Sequence, residues 1–390
     1  MRAPSIAELE LQYADSLGAP AAVILPSVRS GILMALKAVA GTKSTVIGPA
    51  YSCLVVHEAM ALSGATVRYI EPAPRSYLMS VPALRELVRQ DGCVVFSEIY
   101  GIPYDIKDLD GIEPRLRLLD MAMSVPDPQR MQNLKAFDVA LFSFGIGKSM
   151  CAGGGGVACF GDRALAAQIR EMRDTIVAGG SRTRRRQHDA SVLASVAMRT
   201  RLLCGPSTVA TEMWRAARHG IAQTATTTRA MRADNSNASS YAPGPEWTHV
   251  MTPMERRLAA RNLHHAAESA AVRRAQSNLY TERLRIHELL PSADEAMLSQ
   301  SHFPIRVPAS LRDPLRLYLR RRGIDTGEEF PISGMLRSQL YPRTTQLTNE
   351  VVTLPLGEQV ADRDIEFICS AAIEGFGRVR QRQAMERGVA

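Results

Sequence analysis

Apolar and polar positions switch between two periods along the first half of the chain. In "SVRSGILMALKAVA" the apolar residues Ile32, Leu36 and Val39, with Leu33 and Ala40 alongside, recur at helical spacing after a Ser-Gly opening. "STVIGPAYS" is a short apolar run closed by Gly-Pro and reads as a strand. "VVHEAMALSGATVRYIEP" reads as a helix, a glycine stop and a strand over Thr66–Ile70. "DGCVVFSEIYG", "RLRLLDMAMS" and "FDVALFSFGIGK" are further apolar runs, and "GGVACFGD" follows the last as its adjacent or hairpin partner. Short apolar strands alternating with helices predict an α/β sheet, mostly parallel and covered on both faces.

The pattern changes near Ile176. From there to Trp247 the chain is rich in Arg, Thr, Ser and Ala, with interrupted helical periodicity and a polar, Pro/Gly-punctuated end. A long helical pattern follows in "MTPMERRLAARNLHHAAESAAVRRAQSNLYTERL", with Pro253 in the first turn, where a missing N–H is tolerated. "HFPIRVP", "PLRLYLRRRG", "VVTLPL" and "DRDIEFICSAAIEGF" then give strand, helix, strand and helix. The expected organisation is a large domain over 1–250 that includes an extended segment, 176–247. A linking long helix over 251–290 and a small C-terminal α+β domain over 291–390 complete it. No internal repeat is visible.

Composition narrows the class without naming a function. At 390 residues with 22% charged positions, the chain suits one large and one small globular domain. No apolar run approaches a membrane span, and the acidic N-terminus lacks the apolar core of a signal peptide. The six cysteines form no CxxC pair, so a reduced, cytoplasmic protein without a zinc site or disulfide framework is expected. Lys and Arg outnumber Asp and Glu by 47 to 39, which raises the question of nucleic acid. The dense basic run "SRTRRRQHD" has no aromatic interleaving and no nucleic-acid motif beside it. A solvated loop is expected there. The alternative is that Arg182, Arg184, Arg185, Arg186 and His188 contact an anionic substrate or membrane surface.

The candidate chemistry lies in "FSFGIGKSMCAGGGG", where Lys148 stands between a strand end and four consecutive glycines. Such a lysine is either a phosphate-binding charge or an amine kept for covalent work. The segment fits neither G-x-x-x-x-G-K-[ST] nor G-x-G-x-x-G. Ligands of open α/β sheets sit at the carboxyl ends of the strands, and Asp120, Ser143 and Lys148 all fall at or just after predicted strand ends.

Several segments together resemble the DegT/DnrJ/EryC1/StrS family of fold-type I pyridoxal phosphate enzymes. "SFGIGKSMCAGGGGVACF" is similar to its S-F-x-x-x-K…G-E-G-G segment, "LLDMAMS" to D-x-A, and "EIYGIPYDI" to H-x-Y-G-x-P-x-D. "RSGILMAL" stands where the family has S-G-T-x-A-L, and "GPAYSCLVVHEAM" where it has P-x-Y/F-T-F/W. The resemblance implies a large, mostly parallel α/β/α domain binding pyridoxal phosphate and a small α+β domain. It also implies a homodimer with its active site at the subunit interface.

Under that resemblance Lys148 forms the Schiff base and shuttles protons, and Asp120 keeps the pyridine nitrogen protonated. The phosphate would rest on Ser30, Gly31 and Ile32 at a helix N-terminus and on the Ser143 hydroxyl. The sequence also departs from the family. Met123 replaces the Gln or His that bonds the phenolic oxygen, and Cys53 replaces the aromatic that stacks on the ring, leaving Tyr51 as a substitute. Ile32 removes a phosphate hydroxyl, Glu98 replaces a His, and Thr248 aligns with the Asn that a partner subunit sends to the phosphate.

The expected activity is amino transfer from an amino acid, often glutamate in this family, to a keto-sugar nucleotide or related keto substrate. The alternative is a pyridoxal phosphate enzyme of specialised metabolism acting on an amino acid or other small non-sugar substrate. A non-catalytic relative would have no use for both Lys148 and Asp120.

Overall fold

The computed structural model describes residues 2–41, 44–126, 135–178, 247–287, 289, 296, 298–326, 330, 336 and 338–386. These fall into two compact units, residues 2–178 with 247–271 and residues 272–386. The basic run, like most of the 176–247 segment, lies outside the described residues.

The first unit is built on a seven-stranded sheet. Its strands are β1 (Ala21–Leu25), β2 (Thr45–Pro49), β3 (Thr66–Ile70), β4 (Cys93–Ser97), β5 (Leu116–Asp120), β6 (Val139–Ser143) and β7 (Gly156–Phe160). The order is β1-β7-β6-β5-β4-β2-β3, and only β7 runs antiparallel to its neighbours. Every residue of β4 and β7 is buried, as expected for strands covered on both faces. β3 lies at one edge and alternates between exposed and half-buried positions.

Helices α1 (Ile6–Leu17), α2 (Val28–Val39), α3 (Leu54–Leu62), α4 (Val81–Leu87) and α5 (Arg163–Ala178) accompany the sheet. α1 starts on a capping box, Ser5 with Glu8, and stops where Gly18 adopts φ 62°. Its buried face, Leu9, Glu10, Tyr13, Ala14 and Leu17, repeats at three and four residues. Leu25, Ile32, Leu36, Val95, Leu118, Leu141 and Phe160 belong to one hydrophobic core of this unit.

Glu10 is the polar exception on that face. Its carboxylate accepts from the Ile24 N–H at 3.0 Å, while Arg170 donates to Ala22 O at 3.1 Å and Arg173 to Ile24 O at 3.0 Å. Both arginines also pair with Glu10, at 3.1 and 2.6 Å. Side chains thus occupy the outer hydrogen-bonding groups of edge strand β1, where each buried group left without a partner costs about 1–3 kcal/mol.

The long helix expected over 251–290 is two helices, α6 (Pro253–His264) and α7 (Ala266–Leu284). His265, at φ −97° and ψ 9°, interrupts them. α6 falls in the first unit and most of α7 in the second. The second unit pairs β8 (His302–Arg306) antiparallel with β9 (Val351–Pro355). Helices α7, α8 (Ala309–Arg320) and α10 (Asp362–Glu386) supply Tyr280, Leu315, Leu319, Ile365 and Ile368 to its core. α9 (Pro342–Glu350) leads into β9. No described helix is long and apolar enough to cross a membrane.

Candidate active site

Strand register gathers the site at one edge of the sheet. Ser97 at the end of β4 lies beside Asp120 at the end of β5. On the other side, Ser143 of β6 and Leu25 of β1 both pair with Gly156 of β7. The ends of β4, β5, β6 and β1 therefore carry Ser97, Asp120, Ser143 and the entry to α2 to the same rim, where open α/β sheets place their ligands.

Asp120 is buried, with 7% of its surface exposed. Its Oδ1 accepts from the Ala122 N–H at 2.9 Å and its Oδ2 from the Ser97 hydroxyl at 3.4 Å. Burial pushes the carboxyl above its ordinary range, and the Ala122 N–H, the Lys148 charge and Ser97 oppose that rise. The fold thus places the Lys148 amine within electrostatic reach of Asp120, although 28 residues separate them in sequence.

Lys148 sits in a wound loop between β6 and β7. Phe144 N–H donates to Gly155 O at 3.0 Å, Lys148 N–H to Gly145 O at 3.2 Å, and Ala152 and Gly153 N–H both donate to Phe144 O. Asn262 of α6 clasps the loop from outside, donating to Met150 O at 3.1 Å and Cys151 O at 3.0 Å. At Gly155, with φ 87°, a Cβ would stand 3.2 Å from Leu25 O and 3.0 Å from Met251 Cγ. That glycine is needed for the turn and for the close approach of β1. The Ser143 hydroxyl accepts the Gly145 N–H at 3.3 Å and keeps its own hydrogen for another acceptor.

The residues expected to hold phosphate on α2 have partners within the protein. Ser30 is fully buried and completes a capping box with Ser27, and its hydroxyl donates to Ser27 O at 2.7 Å. Its N–H donates to Ser27 Oγ and that of Gly31 to Ser27 O, each at 3.1 Å. A Cβ on Gly31 would stand 2.4 Å from Leu25 Cδ1 and 2.5 Å from Leu141 Cδ2, so this glycine serves packing of the helix on the sheet. Ile32 is a core residue. The positive pole of the helix lies one turn earlier, at Ser27, Val28 and Arg29.

Arg29 pairs with Glu58 at 3.2 Å and lies 5.8 Å from the ring centre of Trp247, which is buried. The indole N–H of Trp247 has no hydrogen-bond partner among the described residues. Nothing in the sequence pattern pointed to Arg29 or Trp247.

The remaining expected contacts divide. Tyr51 is 1% exposed and shares a 2.6 Å hydrogen bond with the Tyr100 hydroxyl, so it presents no open face for ring stacking. Tyr100 holds the left-handed conformation, φ 58°, just past β4. Cys53 is half-buried at the start of α3. Met123 is buried, and its carbonyl accepts from the Ser149 hydroxyl at 3.4 Å, tying the Asp120 segment to the residue after Lys148. Glu98 accepts from Ser124 and donates its N–H to Asp120 O at 2.9 Å. Thr248 is half-buried beside Trp247 in sequence.

An amine, a buried carboxylate, a serine hydroxyl with a free hydrogen and a helix N-terminus on one rim suit an anionic, nitrogen-containing cofactor such as pyridoxal phosphate. Among the described residues no group of three or more His, Cys, Asp or Glu could hold a metal ion.

Comparison with known proteins identifies the family. The profile of the DegT/DnrJ/EryC1/StrS aminotransferase family matches residues 1–372. Over 173 residues the chain is 25% identical to a UDP-N-acetyl-3-dehydro-alpha-D-glucosamine 3-aminotransferase of Acidithiobacillus ferrooxidans. That match spans 43% of this chain and 47% of the relative, so the chain covers about half the length of this curated relative.

Among solved structures, a Streptococcus pneumoniae protein described as a sugar aminotransferase, in its PMP form, superposes with a TM-score of 0.71 at 15% identity. The superposition covers 97% of this chain and 92% of that one. DesV of S. venezuelae gives a TM-score of 0.67 at 20% identity, covering 95% and 89% of the two chains. At these identities the likeness is one of fold.

Proposed function

Because the chain belongs to the DegT/DnrJ/EryC1/StrS aminotransferase family, we propose that it is a pyridoxal phosphate-dependent aminotransferase acting on a keto-sugar nucleotide or related keto substrate, with an amino acid such as glutamate as donor. The observation that supports the proposal is that Asp120 and Ser143 end the neighbouring strands β5 and β6, with Lys148 in the loop that follows Ser143. When bound, the cofactor supplies an electron sink for charge developing at the donor's α-carbon. Lys148 Nζ would hold the cofactor, and its amine would accept the proton from the donor's α-carbon and return a proton as general acid. Asp120 would keep a proton on the ring nitrogen. The Ser143 hydroxyl and the amino end of α2 bind the phosphate.

The keto-sugar part rests on the Acidithiobacillus relative, whose name denotes a UDP-linked dehydro sugar. A second substrate class, an amino acid or small non-sugar, is favoured by Met123 and Cys53, which put neither a side-chain hydrogen bond nor an aromatic face where the family has them. Reconstituted protein is expected to lose its visible absorbance on addition of glutamate and to recover it on addition of a UDP-linked 3-keto sugar. No spectral response to any amino donor would remove the aminotransferase assignment. A response to donors and recovery only with small keto acids would favour the second class.

The active protein is further proposed to be a homodimer with Thr248 at the neighbour's site. Sedimentation equilibrium of the active protein should give about twice the 42.6 kDa chain mass. A monomer that keeps full activity on dilution would contradict this.

A further inference from the structure

We propose that Ser97, oriented by Ser52, is a positioning residue for Asp120: the two hydroxyls form a buried chain that holds the carboxylate ionised and aligned for the pyridine nitrogen. This rests on Asp120 being the partner of that nitrogen. The two serines are 2% and 3% exposed, deep enough that an unbonded hydroxyl would be costly. Ser52 Oγ donates to Ser97 Oγ at 3.4 Å, and Ser97 Oγ donates to Asp120 Oδ2 at 3.4 Å. A hydroxyl has one hydrogen to give. With Ser52 donating to it, Ser97 commits its hydrogen to the carboxylate.

The separations are long for hydroxyl bonds, as is common for catalytic contacts that tighten when a ligand arrives. Each carboxylate oxygen keeps a second lone pair, so Ala122 on Oδ1 and Ser97 on Oδ2 leave room for a ring N–H. The direction of the charge makes the pair necessary. Burial drives Asp120 toward its neutral form, which cannot hold a proton on the ring. In the apoprotein the Ala122 N–H, the Lys148 charge and the Ser97 hydroxyl oppose that drive, and of these Ala122 and Ser97 do so by direct hydrogen bonds to the carboxylate.

No other titratable group near Asp120 among the described residues does this work. Glu98 is engaged by Ser124, Arg29 of α2 is paired with Glu58, and β6 sets the apolar Leu141 opposite Asp120.

The test is the pH dependence of pyridoxal phosphate affinity in the apoprotein, read by fluorescence, with the visible spectrum of the loaded protein alongside. The titration of the phosphate itself is common to all variants. Ser97→Ala should move the lower limb of the affinity profile upward by about one pH unit, or about tenfold in affinity below it, the scale of one lost hydrogen bond to a charged group. Ser97→Thr, which keeps the hydroxyl, should follow the unsubstituted protein. Ser52→Ala should move the limb in the same direction by less.

A Ser97→Ala profile that coincides with that of the unsubstituted protein, while Asp120→Asn abolishes the limb, overturns the relay alone. A limb unaffected by Asp120→Asn overturns the assignment of Asp120 and the relay with it. If Ser97→Ala fails to fold, Ser52→Ala decides: an upward shift supports the relay and an unmoved limb rejects it.

Discussion

Lys148→Ala is expected to lower turnover about 10⁴-fold or more, the upper range for a positioned acid–base group, because the nucleophilic amine is lost as well. The substitution should leave the fold intact. Lys148 is half-buried, and its loop is held by backbone bonds from Phe144 and Gly145 and by the Asn262 side chain, none of which uses the ammonium. Borohydride treatment followed by peptide mapping checks the assignment: the reduced adduct should be on Lys148 and absent from the variant. An adduct on a different lysine, or activity within tenfold of normal, would remove Lys148 from the mechanism.

Asp120→Asn should cut turnover by about 10²–10³-fold, the effect of removing one preorganised electrostatic contact, while cofactor still binds at neutral pH. The same substitution should not weaken the apoprotein. A carboxyl whose folded-state pKa lies above its ordinary value near 3.8 favours folding while protonated, and that contribution is lost as pH rises through the folded value. At neutral pH the ionised Asp120 is therefore a cost to the fold that function requires. Thermal unfolding of the apo forms at neutral pH should give the Asn variant a melting temperature equal to or above that of the unsubstituted protein. The difference should shrink as the buffer becomes acidic. A variant that is both active and markedly less stable would mean that Asp120 is a structural residue.

Much of the placement of these residues was legible in the sequence because chemistry and periodicity coincided. β3 occupies Thr66–Ile70 as the pattern predicted, and Asp120 and Ser143 each end a strand. The order of a parallel sheet then brings such ends together whatever their separation along the chain. What stayed hidden depended on local competition for hydrogen bonds. "SVRSG" contains two serines that could open a helix, and only the geometry shows Ser27 taking the cap and drawing Ser30 inward. Ser52 and Ser97 are ordinary residues of a loop and a strand until the β4–β5 register sets one of them beside Asp120. The break at His265 has no glycine or proline to announce it. Tyr51 was placed near the right strand end, but a hydroxyl partner from another strand end decides which way a tyrosine is turned.

The side-chain cover on β1 has a consequence for assembly. A sheet grows into a larger one by borrowing a strand from a second chain, and that needs a row of free main-chain donors and acceptors. Glu10, Arg170 and Arg173 already occupy that row on β1, using one helix that precedes the strand and another that follows β7. A second subunit therefore cannot continue the sheet past β1 without first breaking two ion pairs. A chain shortened to begin after α1 would lose the carboxylate that closes this margin.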